Sequence, residues 1–141
     1  MQRIKNIRII IDTNIFISFL IGRRISGLKE HIVNFKIKLI FTEQLIQEIK
    51  LVTKRPRLKK YFSPKDVEEM IQLIYGIGDN VEIAEEPELC RDPKDNFLLA
   101  LSDKGRANFL VPGDKDLLIL KKYKTTSIIT YTDLEKMMLT M

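Results

Sequence analysis

The side chains best suited to chemistry in this sequence are carboxylates that follow short apolar runs or lie on predicted helices. They are Asp12, Glu48, Asp95, Asp114 and Asp116. Together they would bring like charges into one cleft, which destabilises a fold unless a cation lies among them. Oxygen ligands in that number suit Mg²⁺ or Mn²⁺. The pattern therefore favours a divalent metal site.

Each of these acids also has a structural explanation when it is taken alone. Asp12 could cap the helix that follows it, and Asp114 and Asp116 could form a turn and a cap. Asp95, in the first turn of a predicted helix, would be favoured by the helix dipole by about 0.3–1 kcal/mol. Glu48 could be a solvated residue that borders an apolar helix face.

Histidine and cysteine, the other residue types that commonly act as bases, nucleophiles or metal ligands, are scarce in this sequence. The chain has one histidine, His31, and one cysteine, Cys90, so an intrachain disulfide and a Cys/His zinc site are both excluded. A general base or a metal ligand set must therefore consist almost entirely of carboxylates. His31 lies away from every motif, and we assign it no role.

Length and charge define the broad class of protein. A chain of 141 residues predicts a single domain over residues 1–141 with one sizeable core. The 24 basic and 19 acidic residues give a net charge of +5, which permits a polyanionic partner. No apolar run reaches the roughly 18 residues that span a bilayer, and no signal peptide is recognisable. We therefore expect a protein of the reducing cytoplasm, without a membrane partner.

Short β-branched runs alternate with helical patterns along the chain. The predicted strands are Ile7–Ile11, Ile37–Phe41, Asn80–Ala84, Ala107–Val111 and Ser127–Ile129. Helices are predicted over Thr42–Thr53, from Ser63-Pro64, from Asp92-Pro93 to about Lys104 before a Gly105 cap, and from a capping box at Thr132. For Asp92, the N-cap role is favoured over a ligand role. This alternation predicts a parallel sheet, whose strand ends would gather the acids at one edge.

Four segments in order resemble the PIN-domain family, and more narrowly the PIN-family toxins of prokaryotic toxin–antitoxin pairs. They are Ile11-Asp12-Thr13-Asn14-Ile15-Phe16-Ile17-Ser18, Glu48-Ile49 with Lys54-Arg55-Pro56, Cys90-Arg91-Asp92-Pro93-Lys94-Asp95, and Val111-Pro112-Gly113-Asp114-Lys115-Asp116-Leu117-Leu118. The resemblance covers nearly the whole chain. Pro112 departs from the pattern, because the family usually has Thr or Ser at that position.

The resemblance implies a three-layer α/β/α sandwich with a parallel, Rossmann-like, five-stranded sheet. It also implies a metal-dependent ribonuclease with one or two Mg²⁺ or Mn²⁺ ions. The acidic quartet carries over to Asp12, Glu48, Asp95 and Asp114, with Asp116 as a fifth acid and Asn14 as a polar neighbour. Within it we expect Asp12, Asp95 and Asp114 to be direct or water-mediated ligands of the first metal. Glu48 would complete the pocket or orient the attacking water, and Asp116 would serve a second metal or hold the other ligands.

A basic stretch follows Glu48 and is the predicted contact for RNA phosphates. Its members are Lys54, Arg55, Arg57 and Lys59. Tyr61 and Phe62 lie next to it, and we expect both to be buried in the core. The resemblance further implies an antitoxin that inserts a cation among the acids, and a homodimer. The apolar residues Leu134, Met137, Met138 and Leu139 could supply a dimer surface, although packing on the protein's own sheet is favoured.

Three other functions fit parts of the same pattern. A catalytically inactive PIN scaffold that binds RNA would be expected to have lost acids, and here all of them are present. A phosphatase of the haloacid-dehalogenase class needs an aspartate two residues after Asp12, where this chain has Asn14. A response-regulator receiver domain would have no use for Glu48. A metal-dependent nuclease therefore remains the favoured function.

Overall fold

A mixed α/β fold emerges from the computed structural model, which describes residues 7–21, 30, 37–83 and 92–139. The strands are β1 (Ile7–Ile11), β2 (Ile37–Phe41), β3 (Gly78–Asn80), β4 (Phe109–Val111), β5 (Lys122–Tyr123) and β6 (Thr126–Ile128). The helices are α1 (Thr13–Ile21), α2 (Glu43–Thr53), α3 (Pro64–Ile77), α4 (Pro93–Lys104), α5 (Lys115–Leu120) and α6 (Tyr131–Leu139), with a 3₁₀ turn at Lys59–Tyr61.

The described strands form one sheet in the order β3-β2-β1-β4-β6-β5. Every neighbouring pair is parallel except β5 with β6, so the predicted parallel five-stranded sheet is present. The antiparallel strand β5 is added at its edge, within a lysine-rich run for which no strand was predicted. The chain leaves β1 in one direction toward β2 and β3, and returns to β4 on the other side.

The central strand is buried on both faces. Ile9, Ile10 and Ile11 are successive residues of β1 and are at most 2% exposed. Because successive side chains of a strand point to opposite faces, helices must cover the sheet on both sides. The helix α2 contributes to this cover as predicted, through Leu45, Ile46, Ile49 and Val52. This arrangement is the α/β/α architecture that the sequence predicts.

Several predicted element boundaries are wrong by one to four residues. The third strand begins at Gly78 instead of Asn80, because α3 passes into β3 without an intervening loop. Residues 107–108 are outside β4, although Asn108 is still bonded to β1: its amide donates to the Arg8 carbonyl at 2.8 Å. The last helix begins at Tyr131, and its cap is the hydroxyl of Thr130, which accepts from the Asp133 amide at 3.1 Å. Thr132 therefore lies inside the helix, and the prediction that it caps the helix is wrong.

The helices α3 and α4 begin with the same local sequence, Pro-Lys-Asp, after a capping side chain. Ser63 accepts from the amide of Asp66 in α3, and Asp92 accepts from the amide of Lys94 in α4. Both starts were predicted. Their environments differ, because Asp66 is exposed whereas Asp95, at the same position of α4, is only 2% exposed.

Within the described part of the chain, no helix is long and apolar enough to cross a membrane.

The junction between α3 and β3 depends on a residue without a side chain. A Cβ atom at Gly78 would lie 2.5 Å from the Ile74 carbonyl oxygen and 2.6 Å from the Phe41 ring. We predict that Gly78→Ala lowers the free energy of unfolding by about 1–3 kcal/mol, because the extra methyl group overpacks this contact.

Gly76 provides the matched control for this substitution. A Cβ atom there meets nothing within 4 Å, and the residue lies inside α3, so Gly76→Ala should stabilise the protein by about 0.5–1 kcal/mol. Urea unfolding of both variants measures the two effects. Equal stability of the two variants would contradict the proposed close packing at Gly78.

Candidate metal centre

A cleft of about 410 Å³ opens at the carboxyl edge of the sheet, beyond β1 and β4. It is lined by Asp12, Asn14, Asp92, Lys94, Asp95, Gly113, Asp114 and Lys115. These residues come from the segment after β1, the start of α4 and the segment after β4. The sheet order places β4 beside β1, on the side opposite to β2. The order in which strands are added to the sheet therefore switches sides between β1 and β4. Ligands of open parallel sheets bind at such a point.

Asp12 is one of the two buried acids of the cleft, with Asp95. It is 2% exposed, and its Oδ2 accepts a hydrogen bond of 3.0 Å from the amide of Gly113. Its Oδ1 is buried and has no hydrogen-bond partner within the described part of the chain. The side chain therefore ties β1 to the segment after β4, and it does not cap α1. A buried carboxylate with an unused oxygen is costly unless a cation approaches it.

Gly113 is required by the close approach of the two segments. A Cβ atom at this position would lie 3.1 Å from Asp12 Oδ2 and 3.0 Å from the Cβ of Asn14. The space is therefore tighter than an ordinary side chain tolerates. With glycine, the backbone amide can come close enough to Asp12 to donate its hydrogen bond.

Asp95 and two other acids form a group in the cleft. Asp92, Asp95 and Asp114 each offer a carboxylate oxygen, and these oxygens all lie within 4.8 Å of one another. Asp92 caps α4, and Asp114 caps α5 by accepting from the amide of Asp116 at 2.9 Å. Capping fixes both side chains where α4 and α5 begin. The arrangement is suited to a small divalent cation with oxygen ligands.

The crowding of these acids changes the protonation of Asp95. Burial raises the pKa of Asp95 to about 6, assisted by its hydrogen bond with Asp114 and by the negative charges of Asp114, Asp92 and Asp116. With this pKa, Asp95 is protonated in a fraction of the molecules near neutral pH. A cation bound among the acids would favour the ionised form instead.

A lysine that the sequence analysis did not single out joins Glu48 to the cleft. Lys94 Nζ lies 2.9 Å from Glu48 Oε1 and 3.4 Å from Asp12 Oδ1. Burial lowers the pKa of Lys94, but its hydrogen bond with Glu48 and the negative charges of Asp12 and Glu48 outweigh this effect, so the pKa is raised. The hydroxyl of Thr13 donates to Glu48 Oε2 at 3.2 Å. Glu48 is therefore held on the side of the cleft nearest Asp12.

The structure brings most of the predicted acids together. Asp12, Asp95, Asp114 and the polar neighbour Asn14 line the cleft, and Glu48 reaches it through Lys94. Asp116 is exposed in the first turn of α5 and lies outside the group of possible metal ligands. Asp92, predicted as a cap, is both a cap and a member of that group. Cys90, Arg91 and His31 lie outside the described residues.

The predicted RNA-binding stretch is exposed. Lys54, Arg55, Arg57 and Lys59 all lie on the surface after α2. Lys54 follows Glu48 by six residues, which corresponds to about 9 Å along a helix axis. Phe62 is buried as expected, but Tyr61 is 51% exposed, so its predicted burial is wrong. The two rings belong to adjacent residues, and a shift of one residue at the end of the 3₁₀ turn is enough to direct one ring inward and the other outward.

The proposed dimer helix packs on its own sheet in part. Leu134 of α6 is 2% exposed and belongs to the core. This burial agrees with the favoured alternative and removes Leu134 from any dimer surface. The side chains of Met138 and Leu139 lie outside the described residues.

The raised pKa of Asp95 predicts a dependence of stability on pH in the absence of metal. The folded chain holds this proton more tightly than the unfolded chain, so the stability contributed by Asp95 falls as the pH rises from 3.8 toward about 6. At pH 7.5 in EDTA, we expect Asp95→Asn to increase the free energy of unfolding by about 1–2 kcal/mol.

Asp66→Asn is the matched control, because Asp66 holds the same position in α3 but is exposed. It should lose only its helix-dipole contribution, about 0.3–1 kcal/mol. Thermal or urea unfolding between pH 4 and pH 8 measures both variants. If Asp95→Asn were destabilising at pH 7.5, the proposed charge crowding would be wrong.

Comparison with known proteins agrees with this geometry. A PIN-domain family profile matches residues 8–116, which include Asp12, Glu48, Asp95 and Asp114. The chain is also 32% identical over 132 residues to the uncharacterized protein MJ1680 of Methanocaldococcus jannaschii, covering 86% of this chain and 79% of that protein. The chain therefore belongs to the PIN-domain family, whose members are generally metal-dependent nucleases.

Proposed function

We propose that this protein is a Mg²⁺- or Mn²⁺-dependent endoribonuclease that hydrolyses RNA phosphodiester bonds. The observation that carries this proposal is the cleft itself. The carboxylates of Asp92, Asp95 and Asp114 approach within 4.8 Å of one another. Beside them, a buried Asp12 oxygen accepts no hydrogen bond in the described part of the chain and has the Lys94 ammonium group 3.4 Å away. This donor set suits a hard divalent ion, and it lies at the sheet edge where an open α/β fold binds ligands.

The residues that would hold the metal are Asp95 and Asp114, with Asp92 beside them, and Asp12 would reach the ion through a water molecule. A divalent ion at this place supplies activation of water and neutralisation of the phosphate charge. The protein contributes rigid positions for its carboxylates. Asp12 is fixed by the Gly113 amide, and Asp92 and Asp114 are fixed by the helix amides that they cap.

Glu48 is the proposed group that orients the attacking water. Thr13 and Lys94 each hold one of its carboxylate oxygens, at 3.2 Å and 2.9 Å. A carboxylate held at both oxygens has a fixed direction, which is what the alignment of a nucleophile requires. Asn14 lines the cleft and is exposed, so its amide could donate to a phosphate oxygen. Asp116 would act from the rim of the cleft, through its charge.

RNA would be held by the basic stretch that follows α2. Its members Lys54, Arg55, Arg57 and Lys59 are exposed and begin about 9 Å beyond Glu48 along the helix direction. Contacts from lysine and arginine to phosphates provide affinity without base specificity. The exposed ring of Tyr61 could stack on a base beside these contacts.

We further propose that the protein is the toxin of a toxin–antitoxin pair, as the order of its motifs suggests. An antitoxin could inhibit it by placing an arginine or a lysine among the acids. Lys94 supports this mode of inhibition, because its ammonium group already lies between Asp12 and Glu48. A homodimer remains part of the proposal, formed by a surface that does not include Leu134.

An RNA-binding protein without nuclease activity is the alternative function. It would keep the basic stretch but would not need the acids. The presence of all four acids of the quartet favours the enzyme, and RNA cleavage by the purified protein separates the two functions.

RNA cleavage should depend on the metal and on the individual carboxylates. We predict that excess EDTA abolishes cleavage, and that Asp12→Asn and Asp114→Asn each reduce the rate by roughly 100-fold or more, because a charge that supports the transition state is lost. Asparagine caps a helix as well as aspartate does, so the Asp114→Asn variant should keep α5. A fluorescent RNA assay in Mg²⁺ or Mn²⁺ measures the rates.

The exposed residue Asp66 again supplies the control. Asp66→Asn should cleave RNA at the wild-type rate, because Asp66 is exposed and does not line the cleft. Cleavage that persists in EDTA, or that survives Asp12→Asn, would contradict the metal mechanism.

The basic stretch should determine how salt affects RNA binding. We predict that the double variant Arg55→Gln/Lys59→Gln weakens the binding of single-stranded RNA. It should also reduce the slope of log affinity against log salt by about 1.4, since each lost phosphate contact contributes about 0.7. The affinities are measured by fluorescence anisotropy in EDTA, where the RNA stays intact.

A double variant at exposed lysines elsewhere, Lys104→Gln/Lys136→Gln, is matched in charge. It should leave the slope almost unchanged. An equal change of slope in the two double variants would mean that net charge alone controls binding, and that the stretch after α2 makes no specific contact.

A further inference from the structure

Lys94 enters the cleft from the first turn of α4 and separates the acids into two groups. On one side, its ammonium group lies 2.9 Å from Glu48 Oε1 and 3.4 Å from Asp12 Oδ1. Asp92, Asp95 and Asp114 form the second group by the mutual approach of their oxygens, and no ion pair to these three is seen among the described residues. The chain therefore supplies one paired cation to the first group of acids and, among the described residues, none to the second.

The position of Lys94 is not a consequence of how the helix begins. Lys65 occupies the same position in α3, after the same proline and before the same aspartate, and it is exposed. The side chain of Lys94 is 31% exposed. Its cost in desolvation is offset by two carboxylates, which are themselves held by Gly113 and Thr13. These contacts indicate a built-in counter-ion and not a solvated surface lysine.

Many phosphodiester-cleaving sites use two metal ions, roughly 3.5–4 Å apart, to stabilise the attacking and leaving oxygens. A second ion in this cleft would need the carboxylates of Asp12 and Glu48. The ammonium group already lies between these carboxylates, and two cations crowded there would repel each other.

We propose that Lys94 takes the place of a second metal ion, so that the cleft binds a single divalent ion, on the side of Asp92, Asp95 and Asp114. This inference rests on the proposed function and specifies its cofactor. An ammonium group carries three N–H donors. Glu48 Oε1 takes one of them at 2.9 Å, Asp12 Oδ1 lies 3.4 Å from the nitrogen, and a donor remains for a phosphate oxygen of the substrate. Unlike a metal ion, this cation cannot be removed by chelation.

The number of bound ions tests the proposal directly. Titration of the RNA-free protein with Mn²⁺, followed by electron paramagnetic resonance and calorimetry, should give one ion per chain for the wild type. Lys94→Gln should bind two, because Asp12 and Glu48 become available. Lys94→Arg keeps the positive charge and should bind one.

Two lysine variants control for the loss of one positive charge. Lys65→Gln removes the equivalent lysine of α3, and Lys115→Gln removes a lysine that lines the same cleft without an ion pair in the described part of the chain. Both should bind one ion. A second ion in Lys115→Gln would show that net cleft charge decides the number, which would overturn a specific role of Lys94.

If Lys94→Gln fails to fold, the number of ions bound by the wild type still tests the inference. Two Mn²⁺ ions per wild-type chain would overturn the inference and leave the proposed nuclease function standing. No Mn²⁺ at millimolar concentration would overturn both. One ion in the wild type and one in a folded Lys94→Gln variant, with unchanged affinity, would likewise overturn the role of Lys94.

Discussion

The carboxylate of Asp12, buried at the end of the central strand, constrains the structure around it. A charge at 2% exposure must be compensated within the protein. The amide of Gly113 and the ammonium group of Lys94 compensate this charge in part. Both residues are far from Asp12 in the sequence. Both must therefore be brought to the end of β1. The sheet achieves this by placing β4 beside β1.

The bonds that stabilise the helices also position the site. Asp92 and Asp114 each satisfy a free amide at a helix N-terminus, and the same two side chains approach Asp95 in the cleft. Helix N-termini favour negative charge. The first turns of α4 and α5 therefore offset part of the repulsion between the acids that lie there. The remaining repulsion is visible in the raised pKa of Asp95. Stability and metal affinity are therefore opposed in this cleft, and a bound cation relieves the conflict.

Much of the fold, and the acids of the site, could be predicted from local sequence. The alternation of apolar strands and helices predicts the parallel sheet, and the acids that follow β1 and β4 are brought together by its topology alone. Lys94 could not be predicted in this way. It shares its local sequence with Lys65, and only the packing of α4 against the end of β1 distinguishes the two. The edge strand β5 was missed for a similar reason, because its two residues owe their conformation to pairing with β6.

The central claim is that the cleft is a metal centre. Anomalous diffraction from crystals soaked in millimolar Mn²⁺ tests it most directly, because it locates the ion without relying on activity. The account predicts a peak about 2.0–2.3 Å from carboxylate oxygens of Asp95 and Asp114, on the side of the cleft away from Lys94. An empty cleft at full soaking, or a peak only at surface carboxylates outside it, would contradict the account.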